Sequence, residues 1–113
     1  MILIIGGAHS GKREYAASRF GYDLEQMSNQ PDGAPVLYDL QALLRDRNFE
    51  SLLPALLEKR VVICDEVGCG VVPVDDNDRA WREAVGRACC ALAERAERVI
   101  RVQCGIGIVI KGE

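Results

Sequence analysis

The chain has 113 residues, 49% of them hydrophobic, which suits one packed domain over residues 1–113 and leaves no room for a comfortable second. Its 17 Asp and Glu outnumber 14 Lys and Arg, and no basic stripe forms, which argues against nucleic acid or an anionic membrane surface as partner. No apolar run reaches the length of a membrane span, and the opening "MILII" lacks the charge and length of a secretory leader, so the expected location is the cytoplasm.

Residues 2–5 form a continuous apolar run with β-branched members, ending at Gly6 and Gly7, as expected of a strand buried on both faces of a parallel sheet. A glycine-rich loop follows. Ala16, Phe20, Leu24 and Met27 then recur at helical spacing, with Gly21 a candidate early stop. Residues 28–35, "SNQPDGAP", read as a surface connection. "VLYD" (36–39) reads as a second strand. Leucines 40, 43, 44, 52, 53, 56 and 57 mark helical segments, with a kink or restart expected at Pro54. "VVICD" (61–65) is a third, strongly apolar strand, running into "EVGCGVVP" (66–73). Acidic and Asn residues in "VDDNDRAW" offer helix caps. Trp81, Val85, Ala88, Leu92 and Ala96 then form a helical stripe. "RVIRVQ" (98–103) is a fourth strand. Gly105 and Gly107 permit a reversal, and "IVIK" (108–111) returns antiparallel as a fifth. Alternating strands and helices predict an α/β fold: a mostly parallel sheet of about five strands with flanking helices, and a site at the strand C-termini.

The loop carries the chemistry. Gly6-x-x-x-x-Gly11-Lys12 has the spacing of a phosphate loop and stands between a predicted strand and a predicted helix, the context such a loop requires. Backbone N–H groups of Gly6, Gly7, Ala8, His9, Ser10 and Gly11 would surround the phosphates of ATP or GTP, with Lys12 over the terminal ones. The next position should carry the hydroxyl that holds Mg²⁺. It is Arg13, which either touches a phosphate or is a solvated arginine on the first helical turn. His9 either bonds a phosphate or stands exposed on the loop. Asp65, at the end of the third strand, is placed to hold Mg²⁺, with Asp39 its rival; Glu66 is placed to orient a nucleophile or take its proton. Five cysteines are present without a C-x-x-C or a standard zinc spacing, and they read as reduced and mostly packed.

These motifs together resemble a known family. "MILIIGGAHSGKREYA" is similar to the start of the bifunctional adenosylcobinamide kinase/adenosylcobinamide-phosphate guanylyltransferases, which open on a strand and G-G-A-R-S-G-K-S. "DEVGCGVVP" resembles their N-E-V-G-x-G-I-V-P, "GRACC" their G-R-x-N-Q, and "CGIG" their closing Gly-Ile turn. The resemblance, to a shortened member, implies a RecA-like P-loop fold and association as a trimer. It also implies a phosphoryl transfer to the aminopropanol hydroxyl of adenosylcobinamide in cobalamin biosynthesis. The family's second step, guanylyl transfer, runs through a histidine between the first helix and the later strands. This chain has no histidine after His9, which counts against that step. With Arg13 in place of the hydroxyl, the alternative is a catalytically degenerate module that binds a nucleotide or regulates.

Overall fold

Six strands form one sheet in the order β2-β3-β4-β1-β5-β6 in the computed structural model, which describes residues 1–67 and 76–112. The strands are β1 (Ile2–Gly6), β2 (Met27–Ser28), β3 (Val36–Leu37), β4 (Val61–Asp65), β5 (Arg98–Gln103) and β6 (Ile106–Lys111). The first five pair in parallel, and β6 pairs antiparallel with β5. The helices are α1 (Lys12–Phe20), the single turn α2 (Leu40–Leu43), α3 (Phe49–Glu58) and α4 (Asp76–Arg95). This is the mostly parallel α/β sheet with a C-terminal antiparallel strand that the alternation predicts.

Alternate residues of the central strands build two cores. Leu3, Val62, Cys64 and Val99 face the side covered by α2, α3 and α4, where they meet Leu40, Leu52, Leu56, Val85 and Leu92. Ile4, Val61, Ile63, Ile100 and Val102 face the other side with Ala16 of α1. The period of two explains why β1 and β4 are apolar at consecutive positions over 2–5 and 61–64. Each fully buried Leu, Ile or Val contributes about 1.5–3 kcal/mol through removal of its side chain from water. Among the described residues no helix is long and apolar enough to cross a membrane.

Gly21 stops α1 as the sequence offered, and three details differ from the sequence reading. Helix α1 ends at Phe20 because Gly21, at φ 77°, closes it with a bond to the Ala17 carbonyl. Leu24 therefore lies in a separate 3₁₀ turn, and Met27 starts β2, a two-residue strand that raises the count from about five to six. The restart between α2 and α3 falls at Asn48, whose side chain caps the Glu50 N–H at 2.8 Å, and not at Pro54. Pro54 sits inside α3 on its exposed side, while Leu52 and Leu56 hold both halves on the sheet. The reversal before β6 uses Cys104 and Gly105, at φ 52° and 76°, and Gly107 lies within the strand. Two consecutive positive φ values give the tight turn whose twist matches the strands. The cap candidate Asp75, and most of the "EVGCGVVP" stretch, lie outside the described residues.

Candidate functional site

Strands β1 and β4 run side by side, with Gly6 level with Asp65, so the loop after β1 and the carboxylates after β4 emerge at the same sheet end. Gly6 is fixed by close neighbours. Its carbonyl accepts from the Glu66 N–H at 2.7 Å, and a side chain there would run into the Val102 carbonyl. The tip of the loop is held by the β5–β6 turn, where the Gly105 N–H donates to the Ser10 carbonyl at 2.8 Å. Gly11 precedes α1 at φ 90° and provides no side-chain cap, so the first N–H groups of this helix stand open to an anion.

Lys12 is nearly buried. Its ammonium donates to the Gly7 carbonyl at 2.5 Å and lies 2.8 Å from an Asp65 carboxylate oxygen. Ser10 Oγ is 3.4 Å away. The cation expected over the phosphates is thus folded onto the loop and paired with the carboxylate expected at the metal. Arg13 does not fill the position of the absent hydroxyl: its guanidinium lies over the Tyr38 ring, 4.6 Å from the centroid. His9, at φ 57°, is exposed on the crest of the loop.

A cleft of about 380 Å³ opens between this loop and β4. It is lined by Ala8, His9, Ser10, Gly11, Lys12 and Arg13 from the loop side, and by Asp39, Gln41 and Asp65 opposite. Asp39 stands just beyond β3 at φ 55°, at the start of α2, in a left-handed conformation that Asp tolerates better than most residues. Gln41 joins the Asp39 carboxylate to the backbone of Asp65: its amide donates to Asp39 at 3.3 Å and its oxygen accepts from the Asp65 N–H at 2.9 Å. The Trp81 indole, from α4, donates to the Gln41 carbonyl at 2.7 Å. Sequence reasoning missed Gln41, because no motif marks it; its place two residues after Asp39 was the only local signal.

Glu66 lies elsewhere. It lines a second cleft of about 520 Å³ on the β5 side of the loop, with Gly7, His9, Ser10 and Gln103. Its carboxylate takes a hydrogen bond from the Arg101 guanidinium at 3.0 Å. Arg101 was also missed, because β5 carries polar residues at Arg98, Arg101 and Gln103 and no motif singles one out. Of the sequence-predicted residues, then, the structure gathers Ala8, His9, Ser10, Gly11, Lys12, Arg13, Asp39 and Asp65 around one cleft. Gly6 forms the wall beneath, and Gly7 and Glu66 line the other side.

Asp39, Asp65 and the Ser10 hydroxyl are all oxygen donors, the chemistry a hard cation such as Mg²⁺ takes. Among the described residues no group of three or more His, Cys, Asp or Glu comes together. An ion here would therefore need phosphate oxygens or water for its other ligands. Behind Asp65, a hydrogen bond with the Cys89 sulfur, joined by burial, pushes the Cys64 thiol up; the same bond holds Cys89 below its ordinary value.

The family model described as cobinamide kinase / cobinamide phosphate guanyltransferase matches residues 39–110, more than half of the chain. The chain belongs to this family. A relative, the bifunctional adenosylcobalamin biosynthesis protein CobP of Pseudomonas aeruginosa, is 35% identical over 71 residues, which cover 60% of this chain and 41% of CobP. The chain thus spans less than half of that relative. The family match takes in Asp39, Gln41, Asp65, Glu66 and Arg101, and begins after the phosphate loop. What distinguishes the loop is its own geometry: the backbone around Gly6 and Gly11, and the burial of Lys12.

Proposed function

We propose that this chain binds the phosphates of ATP or GTP in the cleft between the loop and β4, and transfers a phosphoryl group to a hydroxyl of adenosylcobinamide in cobalamin biosynthesis. The observation that carries the reading is Lys12, a nearly buried ammonium held at the mouth of an uncapped helix. Entering phosphate oxygens take the place of Asp65 as its partner. The loop amides and the first N–H groups of α1 bond the same phosphates. Lys12 then offsets charge on the group in transfer. Asp65, released from Lys12, and Asp39 are the residues that would hold Mg²⁺, which when bound neutralises charge on the phosphate oxygens. Glu66, oriented by Arg101, faces the other side of the loop, where it orients the acceptor hydroxyl or takes its proton.

Guanylyl transfer is no part of this reading, since His9 is the sole histidine and it belongs to the loop. The same reading makes the chain one nucleotide-binding domain acting in the cytoplasm: β1, which leads into the loop, pairs directly with β4 and β5 of the family-matched segment. A homo-oligomer, with the trimer implied by the resemblance, fits the exposed Ile106, Ile108, Val109 and Ile110 of the edge strand β6.

Arg13 favours a second reading, a nucleotide-binding module without turnover, because its side chain lies on Tyr38 and offers no metal ligand. Nucleotide turnover with adenosylcobinamide separates the two. The phosphotransferase reading expects Mg²⁺-dependent transfer by the wild type, raised in Arg13→Ser, whose hydroxyl restores a metal ligand. Nucleotide binding without transfer by either protein makes the module the correct account.

A further inference from the structure

Strand β3 ends at Leu37, level with Val62, so the last residues of β4 continue without a strand on that side. Gln41 occupies the open side. Its side-chain oxygen accepts from the Asp65 N–H at 2.9 Å, the service a longer β3 would have given through a backbone carbonyl. The nitrogen of the same amide donates to Asp39 at 3.3 Å. One side chain can do both because an amide carries a donor and an acceptor. The bond to Asp39 engages Oδ1 and leaves Oδ2 as the oxygen to meet a cation. The backbone of Gln41 is held in turn. Its carbonyl accepts from the Trp81 indole at 2.7 Å, and the Arg45 guanidinium lies over that ring, 3.6 Å from the centroid. Arg45 also pairs with Asp78 of α4 at 3.1 Å. Gln41 is thus tied to α4 through its main chain, while its side chain lines the cleft and bonds to both acidic residues there.

We propose that Gln41 is a positioning residue for the Mg²⁺–nucleotide complex: it sets the Asp39 carboxylate against the end of β4 that carries Asp65, and Trp81 fixes it from α4. The inference rests on the phosphate-and-metal reading of this cleft. A carboxylate that is free to rotate loses rotamer freedom when a cation arrives, and one already held by an amide loses less. Removing a group that orients a metal ligand typically costs about 10–100-fold in metal affinity. The loop amides and the Lys12 ammonium take none of their bonds from Gln41, so phosphate binding without metal does not need it. The effect of Gln41 therefore falls on the metal-dependent part of nucleotide affinity.

The test uses the full chain as wild type, Gln41→Met and Trp81→Phe. Methionine keeps the length of the side chain and removes both amide bonds; phenylalanine removes the indole donor and keeps an aromatic ring. A non-hydrolysable ATP analogue and its GTP counterpart are titrated into each protein by calorimetry, first in EDTA and then across Mg²⁺ concentrations. Unfolding curves report whether the fold is retained. In EDTA, Gln41→Met should bind within about twofold of wild type. The Mg²⁺ concentration that gives half of the metal-induced tightening should rise about tenfold in Gln41→Met, and about threefold in Trp81→Phe. A folded Gln41→Met that responds to Mg²⁺ as wild type does overturns the proposal. So does an equal loss of affinity with and without metal, the mark of a purely structural role. If Gln41→Met does not fold, a wild-type Mg²⁺ response in Trp81→Phe overturns it instead. The wild-type titration separates this failure from that of the reading beneath it: a wild type that binds neither analogue, or binds without any response to Mg²⁺, overturns both.

Discussion

Asp65 and Glu66 are neighbours in the chain, yet they serve opposite sides of the phosphate loop. Asp65 turns to Lys12 and the cleft shared with α1; Glu66 turns to Arg101 and the cleft against β5. The first cleft is built from a contiguous loop and two strand ends, and its cation is nearly buried. The second is built from the same loop and the ends of β4 and β5, around a half-exposed guanidinium. One strand end thus supplies charge to two compartments, and the depth of the partner separates their expected weight. A nearly buried ammonium loses little to solvent screening, whereas an exposed ion pair contributes about 0–1 kcal/mol.

The wall common to both clefts is the place to break the comparison most severely. Gly6→Ala would place a methyl group against the Val102 carbonyl and 2.8 Å from Ser10 Oγ. The expected outcome is a loss of about 1–3 kcal/mol of stability, the usual cost of overpacking, read as a lower denaturant midpoint. Wild-type unfolding in this variant would show that the wall yields easily and that the clefts are not rigidly divided.

The two carboxylates sharpen the comparison next. Asp65→Asn should weaken nucleotide binding in Mg²⁺ by about tenfold, or about 1.4 kcal/mol, with a smaller change in the absence of metal. Glu66→Gln should leave nucleotide affinity within about twofold and lower turnover with the acceptor. Equal effects of the two changes on nucleotide affinity would erase the distinction between the clefts.

The smallest expected effect lies far from both, and serves as their control. Asp32 takes hydrogen bonds from the Ser28 hydroxyl at 2.6 Å and the Ala34 N–H at 2.9 Å. The Ser28 bond foremost, then the Ala34 bond, holds its carboxyl below the ordinary 3.8. A carboxylate depressed in the fold adds stability that is present above 3.8 and lost as pH falls through the lower folded value. Denaturant midpoints of wild type and Asp32→Asn should therefore differ by a constant amount above that pH and converge below it. Nucleotide binding should be unaffected throughout.

What the sequence revealed follows from the range of the interactions involved. The strand, loop and helix around Gly6, Gly11 and Lys12 were legible because those residues lie close together in the chain, between an apolar run and a helical stripe. The central strands β1 and β4 were legible because burial on both faces forces apolar residues at consecutive positions. Met27 misled: its helical spacing from Phe20 and Leu24 continued a stripe that Gly21 had already ended, and a two-residue strand carries no pattern of its own. Pro54 misled in the opposite sense, since tertiary contacts of Leu52 and Leu56 keep the helix on the sheet through it. Gln41 and Arg101 were invisible as site residues because the contacts that place them, with Asp65 and Trp81 and with Glu66, come from distant segments. Arg13 was left open between phosphate and solvent, and its position over Tyr38 depends on a strand end that only the folded sheet brings alongside.

The central claim, that the nucleotide phosphates occupy the Lys12 cleft, is tested most directly by calorimetric titration of a non-hydrolysable ATP or GTP analogue into three proteins: wild type, Lys12→Ala and Arg101→Ala. Hydrogen bonds to charged groups contribute about 1.5–3 kcal/mol, so Lys12→Ala should bind at least about tenfold more weakly, with unfolding curves confirming a retained fold. Arg101→Ala should bind within about twofold of wild type. Unchanged affinity in Lys12→Ala, or an equal loss in Arg101→Ala, would contradict the account.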